Sequence, residues 1–402
     1  SGPCTATSVT LGASIDVQSG GCAFDLGGRA FTVSKTFQMT GAGFIAVTNA
    51  GNITITSTGK LKARGDFVLA TATPTPHVTP TPTSALGTNV PTPTPTQTFA
   101  ATGPPGTIQG GTISLVSAGT IKHAGLIDVS GDSAGTISLD AAGDVTVQSG
   151  SETVAVGIAS AADAGAADGG MVEITSRGGS ITVNAPITVG GDQQAAGGEV
   201  DLTAAHDIDV EQTIDASGGA DDGGTIDIEA GDDITVGRTL TVDSNVGAGF
   251  GGDITLAAGE DIFGGLPDGG KLTVNGAILR FNGSDSESSG GDGGELDASA
   301  VGDLQFLGNG VTIRGNGGNL FDGSGGTVFI DNTDLNPNRI GPLEGNVRVD
   351  GAIILQSGGD FGSGGDFEAS AGAAFTLNAS IDTSGSFDGG TVALDAGGAI
   401  SL

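Results

Sequence analysis

Tryptophan and tyrosine are absent from this chain of 402 residues, which holds two cysteines, two methionines and three histidines. Basic residues are also scarce: 13 lysines and arginines stand against 46 acidic residues, a net charge of −33. That balance excludes nucleic acid and an anionic membrane surface as partners. No apolar run is long enough to span a bilayer, which excludes membrane insertion by a helix. No window carries a sustained apolar stripe of helical period, so helices are expected to be nearly absent. Glycine is abundant, at 76 residues, but it lacks the Gly-X-Y period of collagen.

What the chain does have is a repeat. A glycine doublet followed by an alternating strand recurs as Gly110-Gly111-Thr-Ile-Ser-Leu, Gly169-Gly170-Met-Val-Glu-Ile, Gly197-Gly198-Glu-Val-Asp-Leu and Gly223-Gly224-Thr-Ile-Asp-Ile. It continues at Gly251-Gly252, Gly293-Gly294, Gly325-Gly326 and Gly389-Gly390. One unit reads GGTIDIEA, GDDITVG, RTLTVDS from Gly223, three short strands separated by small or acidic turn residues. The step from Gly170 to Gly198, Gly224 and Gly252 is about one turn of a parallel β-helix. Longer steps, such as Gly252 to Gly294, fit either one coil with an insertion or a second coil opened by Gly269-Gly270. The fold expected is all-β, a parallel β-helix of roughly a dozen three-strand coils rising ~4.8 Å per coil. Ile, Val and Leu would point inward; Thr, Ser, Asp and Glu would face water. Glycine would supply positive φ angles at corners and let backbones approach closely.

Three regions follow. Residues 1–70 are read as N-terminal β-coils, 71–106 as a Thr/Pro-rich arm or loop, and 107–402 as the main solenoid. Alternating Thr-Pro cannot sit in a strand ladder, because proline lacks the N–H. The arm is a linker, a grip on a neighbouring subunit, or a glycan-bearing stalk. The chain starts at Ser1 without a signal-like apolar stretch, and is read as an exported protein whose secretion signal has been removed. In that setting Cys4 and Cys22 are expected to form a disulfide, free thiols being the alternative. Six of the 16 phenylalanines precede residue 100 and ten follow residue 249. They are read as a wider aromatic core in the C-terminal coils, or as an exposed row for ligand stacking.

No catalytic constellation stands out. Enzymes on this kind of solenoid need carboxylates or bases clustered on one outer face, with aromatics to stack on sugars. His77 lies in the Thr-Pro arm, while His123 and His206 occupy strand or turn positions expected to hold exposed, satisfied imidazoles. The chain is therefore not expected to be an enzyme, and no cofactor is expected. Asp144, Asp207, Asp232, Asp233, Asp261 and Asp303 recur just before the second strand of a unit. Aspartate favours turns by accepting from nearby backbone N–H groups. If Ca²⁺ is bound, the candidate ligands are Asp221, Asp222, Asp232, Asp233 and Asp261. Ice binding needs Thr-x-Thr at one fixed place in successive coils, and such pairs do not recur at one place.

The run GGTIDIEAGDDITVGRTLTVDS, with GGEVDLTAAHDIDVEQTIDASGG and GGDITLAAGEDI, resembles the degenerate repeats of filamentous-haemagglutinin-type exoproteins over residues 107–402. The resemblance implies a right-handed parallel β-helix, and a bacterial adhesin at the cell surface.

Charge is uneven along the chain. Residues 1–66 carry five bases against three acids, a net of +2; the remaining eight bases face 43 acids, a net of −35. The last residues read as mid-coil. The function expected is an exported structural subunit that stacks head-to-tail into an extracellular filament or sheath. Contacts would come from Val9, Leu11, Ile15 and Val17 at one end and Val392, Leu394, Ile400 and Leu402 at the other. The alternative is a single surface adhesin or matrix rod binding carbohydrate or protein. A polysaccharide-active enzyme comes third.

Overall fold

A computed structural model of the chain describes residues 8–11, 13–17, 21–40, 43–64, 110–154, 167–259, 262–263, 269–285, 289–308, 310–319, 322–332, 345–358 and 360–402. The residues after most glycine doublets form a six-residue strand, as in Glu199–Ala204, Thr225–Ala230 and Asp253–Ala258. A turn then leads to a short strand such as Ile234–Val236, and a second turn to a shorter one such as Leu240–Thr241. Each strand pairs in parallel with its equivalents in the coils before and after. Three sheets result, of 13, 12 and 12 strands among the described residues. Sheet 1 runs from Ser8–Leu11 to Ile400–Ser401, sheet 2 from Ile15–Val17 to Ile381–Asp382, and sheet 3 from Gly21–Asp25 to Val392–Ala396. The chain is a right-handed parallel β-helix.

Alternation decides what is buried. Within one coil, Val200, Leu202, Ala204, Ile208, Val210 and Ile214 point inward and are fully buried. Burial of each Val, Leu or Ile contributes about 1.5–3 kcal/mol. Register carries these residues into continuous rows, such as Ile181, Ile208, Ile234, Leu272 and Leu304.

The glycine doublets mark the corner between sheets 2 and 3. The first N–H reaches the next coil, Gly223 N to Phe250 O at 2.8 Å. The second closes the corner within its own coil, Gly224 N to Ala216 O at 2.9 Å. A β-carbon on Gly252 would overlap the carbonyl of Gly224 one coil earlier, and one on Gly223 would overlap the carbonyl of Val242. No doublet glycine that opens a sheet 3 strand has positive φ. Close approach accounts for these glycines except Gly389, whose β-carbon would meet nothing within 4 Å; positive φ falls elsewhere, as at Gly150 and Gly276. The structure adds Gly364-Gly365 before Asp366–Ala371 to the set.

The interval from Gly252 to Gly294 is one coil. Its strands are Asp253–Ala258, Leu272–Asn275 and Ile278–Arg280, and Glu295–Ala300 begins its successor in sheet 3. Gly269-Gly270 therefore precedes a sheet 1 strand and opens no second coil. Lys60–Arg64 in sheet 2 and Thr112–Ser117 in sheet 3 flank the Thr/Pro-rich segment, whose residues 71–106 lie outside the described ones.

Three sequence expectations need correction. Cys22 carries a free thiol and forms no disulfide. It occupies an inward position of Gly21–Asp25, in register with Ile45, and packs against the apolar core, where burial raises its pKa. It acts there as a small apolar side chain; Cys4 lies outside the described residues. His123 is not exposed: it is fully buried in the inner row of sheet 1. The C-terminal phenylalanines divide, with Phe281, Phe306, Phe367 and Phe375 in the core and Phe250, Phe263, Phe361 and Phe387 exposed.

Gly252→Ala is expected to lower the thermal unfolding midpoint, at a cost of about 1–3 kcal/mol for an overpacked site. Gly143→Ala, whose added carbon would lie 3.4 Å from Gly119 O, should leave the midpoint nearly unchanged. Circular dichroism melts of both variants check the ranking, and equal melts would contradict it.

Candidate functional site

The outer face of sheet 3 gathers most of the outward-pointing carboxylates. Each six-residue strand presents three side chains outward, and register stacks them into three rows. The middle row reads Glu173, Asp201, Asp227, Thr255, Asp297, Phe329 and Glu368. Beside it run Glu199, Thr225, Asp253, Glu295, Thr327 and Asp366 on one side. On the other run Glu229, Ala257, Ser299, Asp331, Ser370 and Asp395. Parallel strands hold neighbours in a row ~4.8 Å apart, so carboxylate faces carboxylate with little neutralisation. Arg177 supplies one cation, in a bidentate pair with Asp140 at 2.7 and 2.8 Å.

Burial raises the pKa of Asp253, against the pull of the Glu295 backbone N–H. Burial also raises Glu295, with Asp253 and Asp297 adding repulsion, and raises Asp297, with Asp331 adding repulsion. A shallow groove of about 430 Å³ crosses this face, with Phe329 among Asp297, Asp331, Glu229 and Glu368. Its lining contains no imidazole and no thiol. Carboxylates flanking an aromatic face suit a cationic group.

The signal for this face lies in the doublets themselves. Aligned on them, the outward positions of Glu-Val-Asp, Glu-Leu-Asp and Asp-Phe-Glu fall into register. Reading each strand alone conceals the rows.

The turn aspartates do a different job. Before sheet 1, Asp207 Oδ1 accepts the Asp233 N–H at 3.2 Å, and Asp233 Oδ1 accepts the Lys271 N–H at 2.8 Å. Asn52 and Asp303 accept likewise from Thr120 and Asn346, each at 2.9 Å. The bonds run between coils, not within the local turn. A second ladder follows sheet 2, where Asp243 accepts from Asn282 at 2.8 Å and Asn282 from Asn316 at 2.9 Å.

Of the Ca²⁺ candidates, Asp233 serves the first ladder. Asp222 Oδ1 accepts the Phe250 N–H at 2.9 Å, Asp221 Oδ1 the Asp222 N–H at 3.1 Å, and Asp232 pairs with His206 Nδ1 at 2.7 Å. Asp261 lies outside the described residues. No three His, Cys, Asp or Glu side chains among the described residues converge to hold a metal.

No family model, curated protein or solved structure matches the chain. The structure supports an all-parallel, three-sheet triplet architecture, and no match places the chain in the filamentous-haemagglutinin-type family.

Sheet 1 carries a threonine row that the sequence conceals. Thr10, Thr32 and Thr54 share one outward row, as do Thr146 and Thr182, with Lys122 between the two groups. Each three-residue sheet 1 strand contributes a single outward position, and Asp209, Gln305 and Arg348 interrupt the row further on. This is narrower than the paired rows that ice binding requires.

At the ends, Val9 and Leu11 pair with Phe31 and Val33, and Ile15 and Val17 with Phe37 and Met39. Val392 and Leu394 pair with Phe367 and Ala369, and Ile400 with Phe375; Leu402 follows, exposed. No helix among the described residues is long and apolar enough to cross a membrane.

Two tests bear on these surfaces. Glu295→Gln with Asp297→Asn should raise the thermal midpoint at pH 7. Raised folded pKa values mean the stabilisation is present below the ordinary carboxylate range and lost as pH rises through the folded values. The variant's advantage should therefore shrink to nothing by about pH 3; a constant advantage would contradict the repulsion. Asp233→Ala should cost about 0.5–1.5 kcal/mol, and Asp233→Asn much less, because an amide oxygen accepts equally well. A Ca²⁺-dependent stabilisation lost in Asp233→Asn would instead make Asp233 a metal ligand.

Proposed function

We propose that this chain is an exported, non-catalytic structural subunit that joins copies of itself head-to-tail into an extracellular filament or sheath. The observation that supports the reading is the repeat itself: like strands pair in parallel from coil to coil in three sheets that keep their register along the chain. Val392 and Ile400 are 46% and 45% exposed, and Leu402 83%, whereas their register partners one coil earlier, Phe367 and Phe375, are 1% and 0%. At the other end Ile15 is 37% exposed and its partner Phe37 1%. A strand edge that offers apolar rows and backbones at the spacing of the coil before it lets a further coil continue all three sheets. The contact is heterologous and does not close. A further coil of a longer chain would pair there by the same chemistry, so the test belongs to the 402-residue chain itself.

A second reading is favoured by the groove around Phe329. A single surface rod could use it to hold a protein or sugar ligand, and its charge selects cationic ligands over acidic polysaccharides. The same groove sets Asp297, Asp331, Glu229 and Glu368 around Phe329, the residue types that a polysaccharide hydrolase uses, so hydrolase assays on sugar polymers separate binding from reaction.

Val392→Lys with Ile400→Lys should abolish end-to-end association while hydrogen exchange in the interior coils stays unchanged. Electron microscopy of the wild-type chain should show rods many coils longer than one subunit. Isolated single rods at every salt and protein concentration would overturn the assembly reading.

A further inference from the structure

In two successive coils, polar side chains replace aliphatic ones in the inner rows. In sheet 1, His123 stands between Ile55 and Val147. In sheet 2, Thr153 stands between Ile127 and Ile187. Both are 0% exposed. His123 Nε2 lies 3.2 Å from the carbonyl oxygen of Glu152, so the neutral ring carries its proton there and donates it. That leaves Nδ1 without a partner, and Thr153 Oγ1 has none either.

Other buried polar side chains are better served. Ser117 and Ser176 donate to the carbonyls of Gly51 and Gly143, and Asn332 to those of Ala300 and Gly302. The orphaned atoms of Asp243 and Arg280 belong to groups that form an ion pair with each other.

A second proton on His123 would find no counter-charge. The charged groups on the surrounding strands and turns are Lys122, Asp128, Asp140, Asp144 and Glu152. Lys122 and Glu152 are exposed, Asp140 pairs with Arg177, Asp128 accepts the Ser130 N–H, and Asp144 accepts the Ser180 N–H in the corner ladder. The inward neighbours Ile53, Ile55, Val145, Val147 and Ile127 are aliphatic. Burial accordingly pulls the imidazole down to about 4, against the raising influence of the Glu152 carbonyl. In a solenoid each coil touches only its neighbours, so a local loss of stability opens the coils concerned without unfolding the rest.

We propose that the two successive coils containing His123 and Thr153 form an acid-released joint in the rod, where protonation of the buried imidazole opens the core locally. An exposed imidazole titrates near 6.5 and the buried one near 4. The open state therefore binds the extra proton first, and the joint weakens as pH falls from about 6.5 towards 4. The opening equilibrium rises on the order of 10²-fold across that window.

Hydrogen exchange of the full chain at pH 7 and pH 4.5, corrected for intrinsic rates, tests this. Peptides within 121–154 should lose protection by up to about 10²-fold relative to peptides within 199–236. His123→Val, which continues the row of Ile55 and Val147, should remove that pH dependence. Thr153→Val should strengthen the joint at both pH values but leave it acid-sensitive. Equal acid response of the two regions in the wild type, or an undiminished response in His123→Val, would overturn the joint. The wild-type comparison decides the matter even if a variant fails to fold.

Discussion

The rest of the structure depends on the close approach of successive backbones at the corner between sheets 2 and 3. There the second glycine of each doublet rests against the carbonyl of its counterpart one coil earlier, with no room for a side chain. The two N–H groups of the doublet fasten the corner in both directions, one within the coil and one to the next. Because this contact repeats with the same geometry, the strands that follow it stay in register. The long interval between Ala258 and Leu272 does not shift the rows on either side of it.

In-register stacking places like on like, and its energetic sign depends on where the row lies. An inner row of Ile and Val gains about 1.5–3 kcal/mol per side chain, with several such side chains in every coil. Two carboxylates 4.8 Å apart repel by about 1 kcal/mol in bulk water, and by more where they are partly buried. The core therefore outweighs the acidic face, which the fold tolerates with threonine, serine and alanine interspersed. At the corners the same stacking turns favourable, because an Asp or Asn oxygen meets the backbone N–H of the coil above. Aspartate is thus costly in the rows of sheet 3 and useful before sheet 1.

Alternation and glycine spacing made the strands, the coil length and most of the core legible in the sequence. Features that depend on which residues meet across 26 to 40 positions were not. The aspartates just before sheet 1, such as Asp207 and Asp233, bond to the next coil rather than to their own turn, and that pairing exists only once the coil length is known residue by residue. Phe250, Phe361 and Phe387 sit in corners just ahead of doublets, where no alternation assigns them a side. His123 and Cys22 show a different failure. Both occupy positions that alternation places inside, as Ile121-Lys122-His123 and Cys22-Ala23-Phe24 make plain, but the usual roles of histidine and cysteine argued otherwise. Register decided, and residue type gave way.

The same rule links the acidic face to the proposed assembly. A joint that pairs the last coil of one copy with the first coil of the next must extend all three sheets at once, since each edge presents three strands in fixed relation. Proper pairing would then carry the inner rows across the joint with their spacing unchanged. The outer rows would be carried across too. The basic N-terminal coils would interrupt the acidic stripe once per subunit, so the charge pattern along a filament would repeat with the length of the rod. A partner recognising that surface would read a periodic array rather than a single pocket, and the shallow groove at Phe329 would present itself once in each period.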